Sequence, residues 1–97
     1  YWKMRVAEEL RRAGYLVEVE KDGADLAAEK GGMRIAIEIE TGQSDAEANL
    51  RRDLERGFER VVVVWLCRRP SEPILDVRVQ SLTLVEFLDR LRRSGSC

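Results

Sequence analysis

Two consecutive glycines, Gly31 and Gly32, separate two stretches that alternate like β-strands, residues 24–30 and 33–40. Two-residue loops with glycine at both positions join antiparallel strands tightly, because both loop residues take positive φ angles. Such a loop also sets the pairing, so that residue i of the first strand lies opposite residue 63 − i of the second. The sequence therefore predicts a β-hairpin together with its register.

This register places three carboxylates on one face of the hairpin. Asp25 lies opposite Glu38, and Glu40 follows two residues later on the same face. Ala27 and Ala36 face each other beside them, and such small residues indicate that another element packs on this face. The opposite face of the second strand is predicted to be core, since it carries Ile35, Ile37 and Ile39.

The rest of the chain divides into elements by hydrophobic period and by helix-capping signals. Two stretches open with a capping box, Ser44 with Glu47 and Thr83 with Glu86, and then follow a helical period. In chain order the predicted elements are helix 2–13, strand 15–20, strands 24–30 and 33–40, helix 44–57, strand 61–66, strand 74–79 and helix 83–91.

The predicted order, α-β-β-β-α-β-β-α, is typical of an α/β fold in which a hairpin joins a strand–helix–strand crossover. We expect a mixed β-sheet with flanking helices on both sides. Ninety-seven residues are about the length of one domain, so residues 1–97 are predicted to form a single domain. Because the chain starts at Tyr1 rather than Met, we interpret it as a piece of a larger protein.

Composition excludes several classes of function. Seventeen Lys and Arg against eighteen Asp and Glu give a net charge of −1, which excludes a generally basic nucleic-acid-binding surface but not local basic patches. With no histidine and two cysteines, a zinc site, a disulfide framework and histidine-dependent nucleophilic catalysis are excluded. The longest uncharged runs have seven residues, as at 61–67, and are too short to cross a bilayer. We expect a reduced, cytoplasmic protein without a membrane partner.

The carboxylate face is a candidate metal site. Like charges on opposed strand positions repel by up to about 1 kcal/mol a pair. A cation beside Asp25, Glu38 and Glu40 would relieve this repulsion, and oxygen ligands on a rigid sheet suit Mg²⁺ or Mn²⁺. A solvated acidic face would show the same spacing, so the pattern alone leaves both interpretations open.

The helix that follows the hairpin is a candidate phosphate-binding element. Residues 48–69 carry six basic and three acidic side chains, whereas residues 8–47 carry eleven acidic and five basic ones. Arg51, Arg52 and Arg56 are predicted to look outward, where they could contact backbone phosphates. The alternative is a solvated face stabilised by Glu–Arg pairs along the helix.

The runs Gly23–Leu26 and Ile35–Glu40 resemble the active-site motif of the PD-(D/E)xK, or restriction-endonuclease-like, superfamily. That motif has an Asp at the start of one strand and an acidic residue, any residue and a Lys on the next. The resemblance covers most of the chain and implies a restriction-endonuclease-like fold. It also implies that Asp25 and Glu38 bind Mg²⁺ or Mn²⁺ and that the partner is DNA.

Two positions depart from the motif. Glu40 stands where the motif has Lys, an acidic variant that exists among restriction enzymes; here Glu40 would ligate the metal or help to activate water. The first helix has no acid at Lys3–Arg5, where many members carry a Glu. Gln43 stands where some members place a polar residue near the metal or the phosphate.

A narrower resemblance concerns the context of the domain. Glu38–Ser44, Asn49 and Gly57–Val64 look similar to nuclease-like domains attached to conjugation- or translocation-type ATPases. This resemblance implies a larger ATPase chain, or a second copy of this chain, as a further partner.

Three functions follow from these observations. The first is a divalent-metal-dependent DNA phosphodiesterase, and the second is a catalytically inactive module of the same fold that binds DNA or docks to a protein. The intact carboxylate cluster favours the first, and the missing Lys favours the second. The third is a self-associating domain without a ligand, which an exposed apolar stripe on the last helix up to Leu91 would support.

Overall fold

The structure, a computed structural model, describes residues 1–21, 23–41, 46–66 and 78–95. Along these residues the chain forms three helices and five strands. In chain order they are α1 (Trp2–Arg12), β1 (Leu16–Val19), β2 (Leu26–Lys30), β3 (Met33–Glu40), α2 (Ala46–Glu55), β4 (Arg60–Trp65), β5 (Val79–Thr83) and α3 (Leu84–Gly95).

The five strands form one mixed sheet in the order β1-β2-β3-β4-β5. Strands β1, β2 and β3 are antiparallel neighbours, whereas β4 runs parallel to both β3 and β5. Helices α1 and α3 contact each other and cover one face of the sheet, while α2 packs on β3 and β4 from the other side. The predicted α/β class, with a mixed sheet and helices on both sides, is confirmed.

The predicted register of the hairpin is confirmed. Ala27 pairs with Ala36, and Glu29 pairs with Arg34. Gly31 and Gly32 have φ angles of 60° and 83°, values that a residue with a Cβ rarely adopts. The turn therefore needs both glycines, and it determines which side chains of β3 face each side of the sheet.

The two faces of the sheet have separate cores. The face under α1 and α3 is aliphatic: Ile37 is 1% exposed, and Ile35 and Ile39 pack against the same cluster. The face under α2 includes Leu50 and Phe58 together with the following sheet residues: Ala36, Val61, Val63 and Trp65. The isoleucine face of β3 packs in the core, as predicted.

Several boundaries differ from the predictions. Strand β1 is shorter than residues 15–20, and β2 begins at Leu26 instead of residue 24. Trp2 has the helical spacing of Val6 and Leu10, yet it is 39% exposed because it lies at the first residue of the helix, where its ring packs edge-on against Tyr1.

The end of the chain also differs from the prediction. Residues 74–77 of the predicted strand 74–79 lie outside the described residues, and β5 continues to Thr83. The predicted capping box nevertheless forms, since Glu86 N donates to Thr83 Oγ1 at 3.2 Å and Thr83 N donates to Glu86 Oε1 at 2.9 Å. Helix α3 continues to Gly95, so the predicted end at Leu91 is one turn too early.

The capping box predicted at Ser44 lies outside the described residues. Within the part of the chain that the structure describes, we find no helix that is both long and apolar enough to span a bilayer.

Candidate functional site

Asp25 and Glu38 interlock across the hairpin, as the register predicts. The backbone N–H of Asp25 donates to Glu38 Oε1 at 3.2 Å, and the N–H of Ile39 donates to Asp25 Oδ2 at 2.8 Å. Asp25 precedes β2 and its side chain is 31% exposed, whereas Glu38 lies inside β3. The carboxylate of Asp25 is thus held at the open edge of a site whose inner wall is Glu38.

The acidic face of β3 is not solvated. Glu38 is 4% exposed and Glu40 is 1% exposed, because α2 packs over this side of the sheet. The interpretation of these residues as an ordinary solvated face is therefore wrong. Burying a carboxylate is costly unless hydrogen bonds or a positive charge compensate it.

Helix α2 adds a carboxylate that the sequence analysis missed. Asp53 is 0% exposed, and neither of its side-chain oxygens has a hydrogen-bond partner among the described residues. The signal was present in the sequence: Asp53 lies three residues after Leu50 and one before Leu54, inside the apolar stripe of the helix. An acid inside such a stripe is carried into the core along with its apolar neighbours.

Glu38 and Asp53 form a close acidic pair. Burial is the largest cause that raises the pKa of the Glu38 carboxyl; together with the hydrogen bond that a protonated Glu38 makes to Asp53 and the negative charge of Asp53, it brings this pKa to about 9, against the opposing effect of the Asp25 N–H. With both groups ionised, neither has a proton to donate, so Glu38 Oε2 and both Asp53 oxygens lack a partner among the described residues. A proton on Glu38 supplies the missing donor.

Lys3, on α1, brings a positive charge to the open side of the site. Its Nζ lies 2.8 Å from Glu20 Oε1 and 3.5 Å from Asp25 Oδ1. The hydrogen bond to Glu20 raises the pKa of Lys3 above its ordinary value, and the charge of Asp25 contributes to the shift. The stretch Lys3–Arg5 of the first helix has no acid, and through Lys3 it supplies a cation to the site.

Two further lysines, Lys21 and Lys30, lie close to the hairpin in sequence but contact groups other than Asp25 and Glu38. Lys21 Nζ lies 3.6 Å from Glu18 Oε2, and Lys30 Nζ donates to Ala13 O at 2.8 Å while it packs over the ring of Tyr15.

Arg52 does not look outward as predicted. Its NH2 group donates to Gly23 O at 2.8 Å and lies 3.9 Å from Glu38 Oε2, so the side chain crosses the turn beside the acidic pair. The guanidinium of Arg56 lies directly over Gly23, where a Cβ would collide with it. Arg51 is exposed, and Gln43 lies outside the described residues. Of the three predicted phosphate-binding arginines, Arg52 is therefore next to a carboxylate of the site, and Arg56 lies over the turn that precedes Asp25.

The predicted metal ligands Asp25, Glu38 and Glu40 do not converge as a ready-made cage. Among the residues that the structure describes, no group of three or more Asp, Glu or Cys side chains is arranged to hold a metal ion. Mg²⁺ does not require such a cage, since it is often bound by one or two carboxylates together with water and substrate phosphates. The carboxylate oxygens of Glu38 and Asp53 that lack a hydrogen-bond partner are of the type that binds Mg²⁺ in this way.

Comparison of the chain with protein-family profiles, with curated proteins and with solved structures gives no match.

Proposed function

We propose that this chain is a divalent-metal-dependent phosphodiesterase domain that acts on DNA, with Asp25 and Glu38 holding Mg²⁺ or Mn²⁺. The observation that carries the proposal is the pair Asp25 and Glu38, joined by two hydrogen bonds from backbone N–H groups. Glu38 is buried and its Oε2 has no hydrogen-bond partner among the described residues, while Asp25 reaches solvent beside it. A cation there would polarise a phosphoryl oxygen and lower the pKa of a bound water.

The residues around the pair would bind and orient the substrate. Lys3 sits at Asp25 and Arg52 at Glu38, so a phosphate approaching the open side would meet two positive side chains. Arg56 and the exposed Arg51 extend this positive charge along α2, and Gln43 is proposed to contact the same phosphate backbone. Glu40, buried behind Glu38, is proposed to ligate the metal or to help activate water.

Cleavage of mixed DNA substrates tests this proposal, with single-stranded, duplex, flap and junction DNA incubated with Mg²⁺ or Mn²⁺. Wild type is expected to cut at least one substrate, and Glu38→Gln to lose cutting by about a hundredfold or more, as for loss of a group that stabilises charge in the transition state. Asp89→Asn, an exposed acid on α3, is the matched control and is expected to cut like wild type. A wild type that cuts nothing, or a Glu38→Gln that cuts normally, contradicts the proposal.

A second candidate is a catalytically inactive module of the same kind that binds DNA or docks to a protein. It is favoured by Glu40 at the position of the motif Lys and by Lys3, whose ammonium group compensates the charge of Asp25 without a metal. DNA affinity measured by fluorescence anisotropy in EDTA distinguishes it from the first. Under this alternative, Arg51→Ala weakens binding in EDTA, and cleavage is absent with either metal.

Self-association has less support than either. The apolar residues of α3 turn mostly inward, since Phe87 and Leu91 are buried and Leu84 and Leu88 pack on the same core. Val85 is the exposed large apolar residue on the described part of this helix.

A further inference from the structure

The polar atoms that lack a hydrogen bond in the buried interior gather at one place. Among the described residues, the buried side-chain atoms without a partner are Glu38 Oε2, both Asp53 oxygens and Arg52 Nε. More than nine in ten buried polar groups in proteins are hydrogen-bonded, so an unpartnered group indicates a missing ligand, water or proton. The three carboxylate oxygens belong to β3 and α2, which pack on each other, and Arg52 Nε lies next to Gly23 in the turn before Asp25.

Asp53 is aimed into this space by the helix that carries it. Leu50 and Leu54 place this side of α2 on the sheet, and Asp53 lies between them with no exposed surface. Because Asp53 has no exposed surface and its carboxylate acts on the Glu38 carboxyl, the side chain points at β3 instead of along the helix surface. Two carboxylates from two different elements therefore meet in the interior between α2 and the sheet.

Arg52 compensates these charges only in part, since one guanidinium faces two carboxylates. Its NH2 group donates to Gly23 O, and the 3.9 Å distance to Glu38 Oε2 is too long for a hydrogen bond. Its Nε has no hydrogen-bond partner in the described part of the chain. Among the described residues, no Lys or Arg forms an ion pair with Asp53. The pair thus has a surplus of negative charge and oxygen lone pairs.

We infer that Asp53 is a ligand of a divalent cation, which it binds together with Glu38 from the opposite wall. This inference rests on the proposed function in one respect, the role of Glu38 as a metal ligand. Hard cations such as Mg²⁺ and Mn²⁺ prefer carboxylate oxygen and retain water at the remaining positions. Binding by a strand and a helix would also join α2, with its arginines, to the sheet.

Binding of Mn²⁺ alone, without nucleic acid, tests the inference by titration calorimetry. The variants are Asp53→Asn, which retains shape and removes charge, Asp25→Asn and the control Asp89→Asn. Asp53→Asn is expected to weaken Mn²⁺ binding by at least about tenfold, as the loss of a metal-site group does. Asp89→Asn is expected to bind like wild type, since its carboxylate is on the surface of α3, paired with Arg93.

A second measurement needs no variant. The ¹³C signals of the side-chain carboxyl carbons of the wild-type protein are followed during a titration with Mg²⁺. Asp53 and Glu38 are expected to show large shifts that saturate together, and Asp89 none. This measurement decides the question even where Asp53→Asn does not fold.

The outcomes separate this inference from the proposed function. If Asp53→Asn binds Mn²⁺ like wild type and the Asp53 carbon does not shift, the inference is overturned, whereas Asp25→Asn and DNA cleavage still test the nuclease. If Asp53 binds the cation and wild type cuts no DNA, the inference holds and the proposed function fails. If wild type binds neither cation, Asp53 and Glu38 form a proton-sharing pair only, and both proposals fall.

Discussion

The two faces of the sheet are alike in burial and opposite in chemistry. Under α1 and α3, β3 presents Ile37 and its neighbours to an aliphatic cluster. Under α2, the alternate residues of the same strand include Glu38 and Glu40, which are 4% and 1% exposed, about as buried as Ile37. On a face that buries only aliphatic groups, the burial of apolar surface is enough to account for the residues found there. Buried acids oppose folding unless something compensates them, so the second face requires a proton, a cation or a hydrogen-bond donor in addition to packing.

The largest effect is expected on the aliphatic face. Ile37→Ala removes buried methylene and methyl groups from a side chain that is 1% exposed, and it should lower the free energy of unfolding by about 2–5 kcal/mol. Urea unfolding followed by circular dichroism measures the change. Ile37→Val, the matched control, should cost about 0.5–1.5 kcal/mol. Equal small losses in both variants would show that this face is not the tightly packed one.

The acidic face is expected to make stability depend on pH. In the folded chain Glu38 keeps its proton up to a pKa of about 9, while in the unfolded chain it loses the proton near the ordinary 4.5. Between these values the folded state binds more protons than the unfolded state, so stability falls as pH rises. The slope is at most about 1.4 kcal/mol per pH unit, which gives a loss of up to about 3 kcal/mol between pH 6 and pH 8.

Urea unfolding in EDTA over that pH range, for wild type and for Glu38→Gln, measures this dependence. The other titrating groups are common to both proteins, so the difference between the two slopes isolates Glu38. Glu38→Gln should be less dependent on pH and relatively more stable at pH 8. If both proteins show the same slope, Glu38 is not protonated in the folded chain, and the charge of the pair must be compensated in another way.

The comparison of the two faces also explains how much could be predicted from sequence. The Gly31-Gly32 turn, the pairing of Ala27 with Ala36 and the isoleucine face depend on local geometry, a tight turn and a period of two, and they were predicted residue by residue. The position of Asp25 beside Glu38 follows from the same register.

The rest depends on how distant elements pack. The contact of Lys3 with Asp25 joins α1 to the turn before β2, and no local pattern fixes the distance between them. The inward turn of Arg52 depends on how α2 is rotated on the sheet, because a side chain at the border of the apolar stripe can turn to either side. Asp53 lies between these two cases. Its place in the apolar stripe could be predicted from the sequence, but the residue that it faces on the sheet could not.

The smallest effect is expected for an exposed acid, and it calibrates the large ones. Asp89 pairs with Arg93 one turn along α3 at 2.7 Å, with side chains 54% and 79% exposed. Exposed pairs at this spacing contribute about 0.3–0.5 kcal/mol, because water screens the charges and the side chains lose freedom. Asp89→Asn should therefore lower the free energy of unfolding by no more than about 0.5 kcal/mol, measured in urea at pH 7.

The slope of stability against pH from 6 to 8 for Asp89→Asn should match that of wild type, unlike the slope for Glu38→Gln. If Asp89→Asn altered the slope as strongly, the pH dependence would reflect the total charge of the chain. The difference between the two faces would then not be the cause of the pH dependence.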